Sequence, residues 1–363
     1  MRKLYSTHRH KLRNLSKAKK SLKSRLSFKR KKKSKNKLKI GRNQAVIAAI
    51  NRVNKYFDYK RVKVPENFSF LTGAEKASSF IHDLKKLFNK KKKVFIVMKN
   101  VKTIDESAIV ILLSIMIRFK SQKIRFNGDF PDNINVARSF KESGFFEILN
   151  SEQLRDTDRY TVNKRKIYTH AWKNVDAELS QKIMEDISPA LHGEKRVYKG
   201  LHRTFVELMQ NSYNHATPSK EGEKHWWISV NVNSLTKIVS FSFIDYGVGI
   251  FESLNTKGSG SKWFNWQDKF KKIFSFETNS DILRLILDGE LHKTVTGEYF
   301  RGKGLPGIKE AMDRNLINNL HIVTNDVYAN VADNVFERLS HNFEGTFVYW
   351  EINENTENMP WIQ

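Results

Sequence analysis

The segment FVELMQNSYNHA, which runs from Phe205 to Ala216, constrains the fold more than any other part of the chain. Its apolar residues have helical spacing, while Glu207, Asn211 and His215 recur every fourth residue on a neighbouring face. A carboxylate and an amide one turn apart suit a metal-bound phosphate, because an amide oxygen can bind Mg²⁺ and a carboxylate can activate a water. On an ordinary surface helix such a pair is simply solvated, so the interpretation depends on later segments.

The second segment of the pattern lies at the end of two predicted strands. Residues 226–232 and 238–244 alternate in the manner of strands, and the second runs directly into DYGVGI. A carboxylate at a strand end, here Asp245, can accept a hydrogen bond from an adenine amine. Gly247 and Gly249 would let the backbone approach the ring closely. A plain turn is the alternative interpretation of this segment.

Two further segments complete the pattern. In RGKGLPGI, the residues Gly302, Lys303, Gly304 and Leu305 precede or open a predicted helix. Glycines at such a position present backbone N–H groups and the positive end of the helix dipole to phosphates, and the lysine adds charge. EGTFVYWEI is a strand that begins at a glycine, and it places the hydroxyl of Thr346 for a ligand contact.

In their order, the four segments resemble the N, G1, G2 and G3 boxes of the GHKL ATPases, the family of gyrase, heat-shock, histidine-kinase and mismatch-repair ATP-binding domains. The resemblance implies an α/β fold of the Bergerat type, a mixed and mostly antiparallel sheet with helices on one face. It implies ATP and Mg²⁺ as cofactors, Glu207 as general base, Asn211 as the Mg²⁺ ligand and Asp245 as the adenine contact. Residues 251–300 would form the ATP lid. The other expected ATP contacts are Gly247, Gly249, Gly302, Lys303, Gly304, Leu305 and Thr346.

The preceding region, residues 43–150, alternates helices with strands and therefore predicts a small parallel or mixed α/β sheet. The turn IDESA and the apolar helix behind it resemble a STAS domain, the fold of bacterial anti-sigma-factor antagonists. In that family the first hydroxyl after the aspartate is phosphorylated. Here Asp105 is followed by Glu106, which cannot be phosphorylated, and by Ser107, a displaced candidate acceptor. The alternative is that Asp105 and Ser107 only cap the helix.

The first 42 residues carry 19 Lys and Arg and no acidic residue, out of a formal net charge of +27 for the whole chain. Such a segment buries too little apolar surface to fold alone, so we expect a disordered tail, or a helix only in a complex. Its natural partner is a polyanion, in the first place a nucleic acid. A solvated tail with no single partner is one alternative, and periodic leucines leave an anionic membrane surface as another. They are Leu4, Leu12, Leu15, Leu22 and Leu26.

The predicted organisation is a basic tail at 1–42, a STAS-like domain at 43–150, a polar linker at 151–166 and an ATP-binding domain at 167–363. The chain has no cysteine, which excludes disulfides, thiolate zinc sites and thiol catalysis. Its apolar runs are too short to cross a bilayer and it shows no secretory segment, which predicts a cytoplasmic location.

Three functions remain open from the sequence. The chain resembles anti-sigma-factor serine kinases in its boxes but carries the STAS-like region in the same polypeptide. This favours an ATPase or ATP-binding switch whose nucleotide state controls how the STAS-like region and the basic, polyanion-binding tail engage a partner. A serine/threonine kinase acting in trans or on Ser107 is the second hypothesis. The third is a nucleic-acid-associated module with a regulatory ATP site that does not hydrolyse. The sequence is compatible with a homodimer and does not decide it.

Overall fold

The structure, a computed structural model, describes residues 10–31, 56–150, 159–162, 165–170, 177–215, 226–255, 278–290 and 304–360. For residues 159–162, 165–170, 177, 213–215 and 253–255 it describes the backbone alone. The chain divides into two compact units, Met1–Asp58 and Tyr59–Gln363. The sequence predicts a folded domain from residue 43, whereas the second unit begins at Tyr59.

Within the first unit, residues 10–31 form one helix, α1. The sequence predicts disorder for this tail, or a helix only in a complex, and residues 10–31 are helical in the structure. Lys, Arg and Leu have high intrinsic helix propensity, and this stretch contains neither Gly nor Pro, which explains a helix without a core of its own. Its side chains are exposed from residue 11 onwards, the leucines included. Among the described residues, no helix combines the length and apolar character needed to span a membrane.

The N-terminal layer, residues 59–150, contains a parallel sheet of β1 (Lys60–Lys63), β3 (Val94–Val97) and β5 (Phe126–Gly128) in the order β1-β3-β5. A second parallel pair joins β2 (Asn67–Phe68) to β4 (Thr103–Ile104). The helices are α2 (Ala74–Asn89), α3 (Glu106–Ser121), α4 (Ile134–Glu142) and α5 (Phe145–Asn150). Strands that alternate with helices give parallel pairing, as the sequence predicts.

The remaining residues form a six-stranded antiparallel sheet with helices. Its strand order is β11-β12-β10-β9-β7-β6. The strands are β6 (Arg159–Val162), β7 (Arg165–His170), β9 (Trp226–Asn233), β10 (Ile238–Asp245), β11 (Asn318–Asn330) and β12 (Val335–Asn353), and a short pair joins β8 (Arg196–Val197) to β13 (Met359–Pro360). The helices are α6 (Ala177–His192), α7 (Lys199–His215), α8 (Ile250–Asn255), α9 (Asn279–Leu287) and α10 (Gly304–Asp313). The expectation of a mixed α/β protein is confirmed.

The antiparallel sheet is covered on both faces. Successive residues of β10 point to opposite sides, and Phe243 belongs to a core formed with α6, α7, α9 and α10. Its neighbour Ile244 belongs to a core formed with α2 and α3 of the N-terminal layer. The second core joins the two regions that the sequence treats as separate domains. Residues 159–162 and 165–166, predicted as part of a linker, belong to strands β6 and β7 of the same sheet.

Candidate functional site

Helix α7 presents the polar stripe in the way its sequence predicts. Phe205 is fully buried, with its ring centroid 5.3 Å from that of Trp350 and 5.5 Å from that of Phe241 on the sheet. This packing fixes the rotation of the helix about its axis. Glu207 and Asn211, one turn apart, are half-buried on the adjacent face. The side chain of His215 lies outside the described residues.

The start of α10 lies against this stripe. A Cβ atom at Gly304 would lie 3.1 Å from Asn211 Nδ2 and 3.2 Å from Glu207 Oε2, so any larger residue would crowd both side chains. A Cβ atom at Gly307 would likewise crowd the guanidinium of Arg203 on α7. Arg203 in turn forms an ion pair with Glu310 at 3.2 Å. These contacts bring the start of α10, Gly304, beside the carboxylate and the amide.

Other predicted residues near this helix are placed only in part. Gly302 and Lys303 lie outside the described residues. Leu305 is half-buried and packs on the core formed with the helices, which gives it a packing role in the structure. Of the predicted lid, the structure describes residues 251–255 and 278–290, which contain most of α8 and all of α9.

Asp245 ends β10 as a buried carboxylate with few partners. Burial raises its pKa to about 6, while the backbone N–H of Gly247, which donates to Asp245 Oδ1 at 2.5 Å, lowers it. The Ser212 hydroxyl of α7 and the charge of Lys85 also lower this pKa. Asp245 therefore faces α7 next to Ser212, the residue that follows Asn211. A carboxylate can accept several hydrogen bonds, and the Gly247 N–H takes up only part of this capacity.

The glycine turn after Asp245 is held by residues of β11. Gly249 has a φ of +81°, and a Cβ there would meet Asn325 Oδ1 at 2.4 Å, so a glycine is required on both counts. Asn325 donates from Nδ2 to the Val248 carbonyl oxygen at 3.0 Å and accepts from the Phe251 N–H at 3.2 Å. The turn thus has a defined shape.

Thr346 lies beside Asp245 across the sheet. The two residues are direct partners in the pairing of β10 with β12, and Thr346 is in turn the partner of Thr324 on β11. Gly345, just before it, has a φ of +110°, and a Cβ there would lie 1.9 Å from the Asp245 carbonyl oxygen. The predicted contact residues Asp245 and Thr346 are therefore brought together, and the glycine makes their close approach sterically allowed.

The candidate switch residues form a helix cap. Asp105 is the N-cap of α3 and accepts from the Ala108 N–H at 2.8 Å, from the Ser107 hydroxyl and from the Ser69 hydroxyl. Ser107 is fully buried. Glu106 occupies the first turn, where a negative charge is favourable. This geometry favours the capping alternative for Asp105 and Ser107.

The chain as a whole gives no match when it is compared with protein-family models, with curated proteins and with solved structures. Gly304 leaves open the space that a Cβ would fill, beside a helix N-terminus, Asn211 and Glu207. No group of three or more His, Asp or Glu suited to a metal occurs among the described residues. An Mg²⁺ ion at Asn211 would need phosphate oxygens and waters as its other ligands, which is common for this ion.

Sequence reasoning missed several residues of the site. Ser212 follows Asn211 directly, and Thr324 and Asn325 lie on a strand whose sequence carries no ligand signal. The sequence could have indicated that Lys85 is buried, since Lys85 falls on the apolar face of α2 with Leu84. The structure buries it there. Tyr246 directly follows the strand-end Asp245, and it packs against the core that contains Ile244.

Proposed function

We propose that this protein binds ATP with Mg²⁺ at a Bergerat-type site and hydrolyses it, and that the N-terminal layer, which is STAS-like, responds to the nucleotide. The observation that carries the proposal is the position of Gly304 against Glu207 and Asn211. That contact joins the first sequence segment, on α7, to the third, at the start of α10. The pairing of Asp245 with Thr346 joins the second segment to the fourth and supports the proposal further.

Each side chain has a role that suits its chemistry. Asn211 offers a neutral oxygen to Mg²⁺, which would neutralise charge on the phosphates when bound. Glu207 orients the attacking water and accepts its proton. Asp245 accepts a hydrogen bond from the exocyclic amine of adenine, and Thr346 lies within one strand spacing of it. The N–H groups at the start of α10 bind phosphate oxygens.

The first experiment supplies γ-labelled ATP with Mg²⁺ to the full chain and follows both free phosphate and labelled protein. We expect ATP binding, with phosphate release that falls at least about 100-fold in Glu207→Gln, because a general base contributes about 10²–10⁴-fold. Asn211→Ala should lose both the Mg²⁺ dependence and most of the turnover.

Matched controls are available on the helices outside the predicted lid. Glu178→Gln removes an exposed carboxylate on α6, and Gln210→Ala removes an exposed amide on α7 next to Asn211; both should behave as wild type. Label on protein rather than in free phosphate would favour the kinase hypothesis. Absence of ATP binding by the wild-type chain would disprove the proposal.

A second candidate function, association with nucleic acid, is supported by α1. This helix carries ten Lys and Arg and no acidic residue within residues 10–31, and these side chains are exposed. Positive charge on every face of an exposed helix binds the phosphate backbone with little sequence preference. The two functions are compatible, and a regulatory ATP site without turnover would leave the second one intact.

A further inference from the structure

Tyr246 links the candidate adenine pocket to the N-terminal layer. It follows Asp245 in sequence and points to the other face of the sheet, where its hydroxyl pairs with that of Ser114 on α3. The Arg118 guanidinium lies 4.9 Å from the centre of its ring. Lys85 Nζ on α2 lies 4.8 Å from the same centre. Two helices of the N-terminal layer therefore hold the residue next to Asp245.

Lys85 also holds the other strand of the pocket. Its Nζ donates to the carbonyl oxygen of Glu344 at 2.6 Å and lies 3.9 Å from the Glu344 carboxylate. Glu344 precedes Gly345 and Thr346, and Thr346 pairs with the end of β10. Lys85 is buried, with 5% relative exposure, although lysines are almost never buried without a partner. Its single ammonium group thus contacts β12 and the residue that follows β10, from the face that the N-terminal layer covers.

The charges that act on Lys85 come from three elements. Glu344 on β12 and Asp245 on β10 favour its charged form, Arg118 on α3 opposes it, and burial lowers its pKa to about 7. In return the Lys85 charge lowers the pKa of Asp245, against a burial that raises it to about 6. Lys85 and Asp245 therefore stabilise each other's charged forms through the sheet.

We propose that Lys85 and Tyr246 are positioning residues for Asp245, so that the N-terminal layer forms the floor of the adenine pocket and sets its affinity for adenine nucleotides. The inference rests on the proposed ATP site. Adenine recognition needs an ionised carboxylate held at a fixed place, because the carboxylate must accept a hydrogen bond from the amine. Lys85 keeps Asp245 ionised near neutral pH, and Tyr246 fixes the strand end on which Asp245 stands.

The test measures the affinity of the full chain for ATP with Mg²⁺ by calorimetry between about pH 5.5 and pH 8.5. In wild type the affinity falls as pH drops through about 6, where Asp245 takes up a proton. Lys85→Met raises the pKa of Asp245, so its affinity should fall at higher pH, with a loss of about five- to tenfold between pH 6 and 7. Above about pH 8 the two curves should converge, because Lys85 itself has then lost its charge.

Lys86→Met is the matched control, since Lys86 is the next residue of α2 and is exposed. It should reproduce the wild-type curve. Tyr246→Phe and Ser114→Ala remove one hydroxyl each and keep the core filled, so they test the same link if Lys85→Met does not fold. Each should weaken ATP binding about two- to fivefold, in line with the loss of one hydrogen bond.

A second ligand separates positioning from general damage. Inorganic triphosphate with Mg²⁺ uses the phosphate contacts but not Asp245, so its affinity should be unchanged in Lys85→Met, Tyr246→Phe and Ser114→Ala. Equal losses for ATP and triphosphate, or a Lys85→Met pH curve identical to wild type, would overturn the inference while wild-type ATP binding keeps the proposed function. A wild-type chain that binds no ATP would overturn both.

Discussion

Asp245 and Tyr246 are adjacent in the chain, yet their side chains serve opposite faces of the antiparallel sheet. Asp245 faces Ser212 of α7, and Tyr246 pairs with Ser114 of α3. β10 ends at Asp245, so the chain changes face at the first residue beyond the strand. A single peptide unit therefore joins the packing on the two faces, without any hinge or long pathway between them.

The steric role of Gly345 gives a first prediction. Gly345→Ala should lower the free energy of unfolding by about 3 kcal/mol, because the new Cβ would lie 1.9 Å from the Asp245 carbonyl oxygen at a positive φ. Gly193→Ala is the control, since Gly193 also has a positive φ but a Cβ there meets nothing within 4 Å. It should cost about 1 kcal/mol. Urea unfolding measures both, and equal costs would contradict the predicted steric clash.

The Asp105 cap gives a second prediction. Asp105→Ala removes the acceptor of the Ala108 N–H and leaves the buried hydroxyls of Ser69 and Ser107 without it, so the unfolding free energy should fall by about 2–3 kcal/mol. Asp83→Ala, on the exposed face of α2, should change it by less than about 0.5 kcal/mol. An Asp105→Ala protein as stable as the control would remove the basis for a structural cap.

Much of the fold was accessible from the sequence for physical reasons. The spacing of Phe205, Leu208 and Met209 fixes both the helix and its buried side, and the alternation in 238–244 fixes a strand. The contact between Gly304 and the Glu207 stripe could be expected only through the family resemblance, because it depends on how α10 packs on α7. Sequence periodicity describes one element at a time and says nothing of which elements meet.

The shared core between the N-terminal layer and the sheet was not predicted. Two regions that each show their own alternating pattern look like two domains, and only the burial of both sheet faces shows that they are one. Lys85 and Tyr246 could have indicated it, since a lysine on an apolar helix face and a tyrosine behind a strand-end aspartate both need partners. For α1 the sequence predicted a helix only in a complex, because composition was weighed above helix propensity.

His321 gives a prediction about pH. Burial lowers its pKa to about 4, below the 6.5 of an unfolded histidine, so between these values the unfolded chain binds more protons. Its contribution to stability is complete above pH 6.5 and is lost as pH falls towards 4, by up to about 3 kcal/mol. His321→Gln should lack this part of the pH dependence, while His202→Gln, which changes an exposed residue of α7, should keep it.

The measurement is urea unfolding of the three proteins at pH 7 and pH 4.5. Asp245 has the opposite sign, because its raised pKa favours the folded state as pH falls, so the wild-type curve combines both groups. The difference in unfolding free energy between wild type and His321→Gln cancels the contribution of Asp245, because both proteins contain it. A difference that stays constant from pH 7 to pH 4.5 would show that His321 titrates normally in the folded protein.

The basic helix α1 gives the last prediction. Lys19, Lys20 and Lys23 are exposed, and replacing all three with Gln in the full chain should weaken binding to a labelled DNA duplex. Each lysine that neutralises a phosphate releases counterions, so the slope of log K against log salt should become shallower by about 0.9 for each lysine replaced, or about 3 in total. Fluorescence anisotropy at several salt concentrations measures the slope.

Three exposed lysines of the folded unit, Lys90, Lys91 and Lys92, serve as the charge-matched control. Their replacement with Gln lowers the net charge by the same amount and should leave the slope nearly unchanged, because the phosphate contacts are expected on α1. Equal effects of the two triple variants would mean that overall charge, and not this helix, attracts the duplex. A different outcome would identify α1 as a membrane-surface helix. In that case the wild type would bind anionic vesicles and not DNA, and it would lose vesicle binding when four exposed leucines become Ser. They are Leu12, Leu15, Leu22 and Leu26.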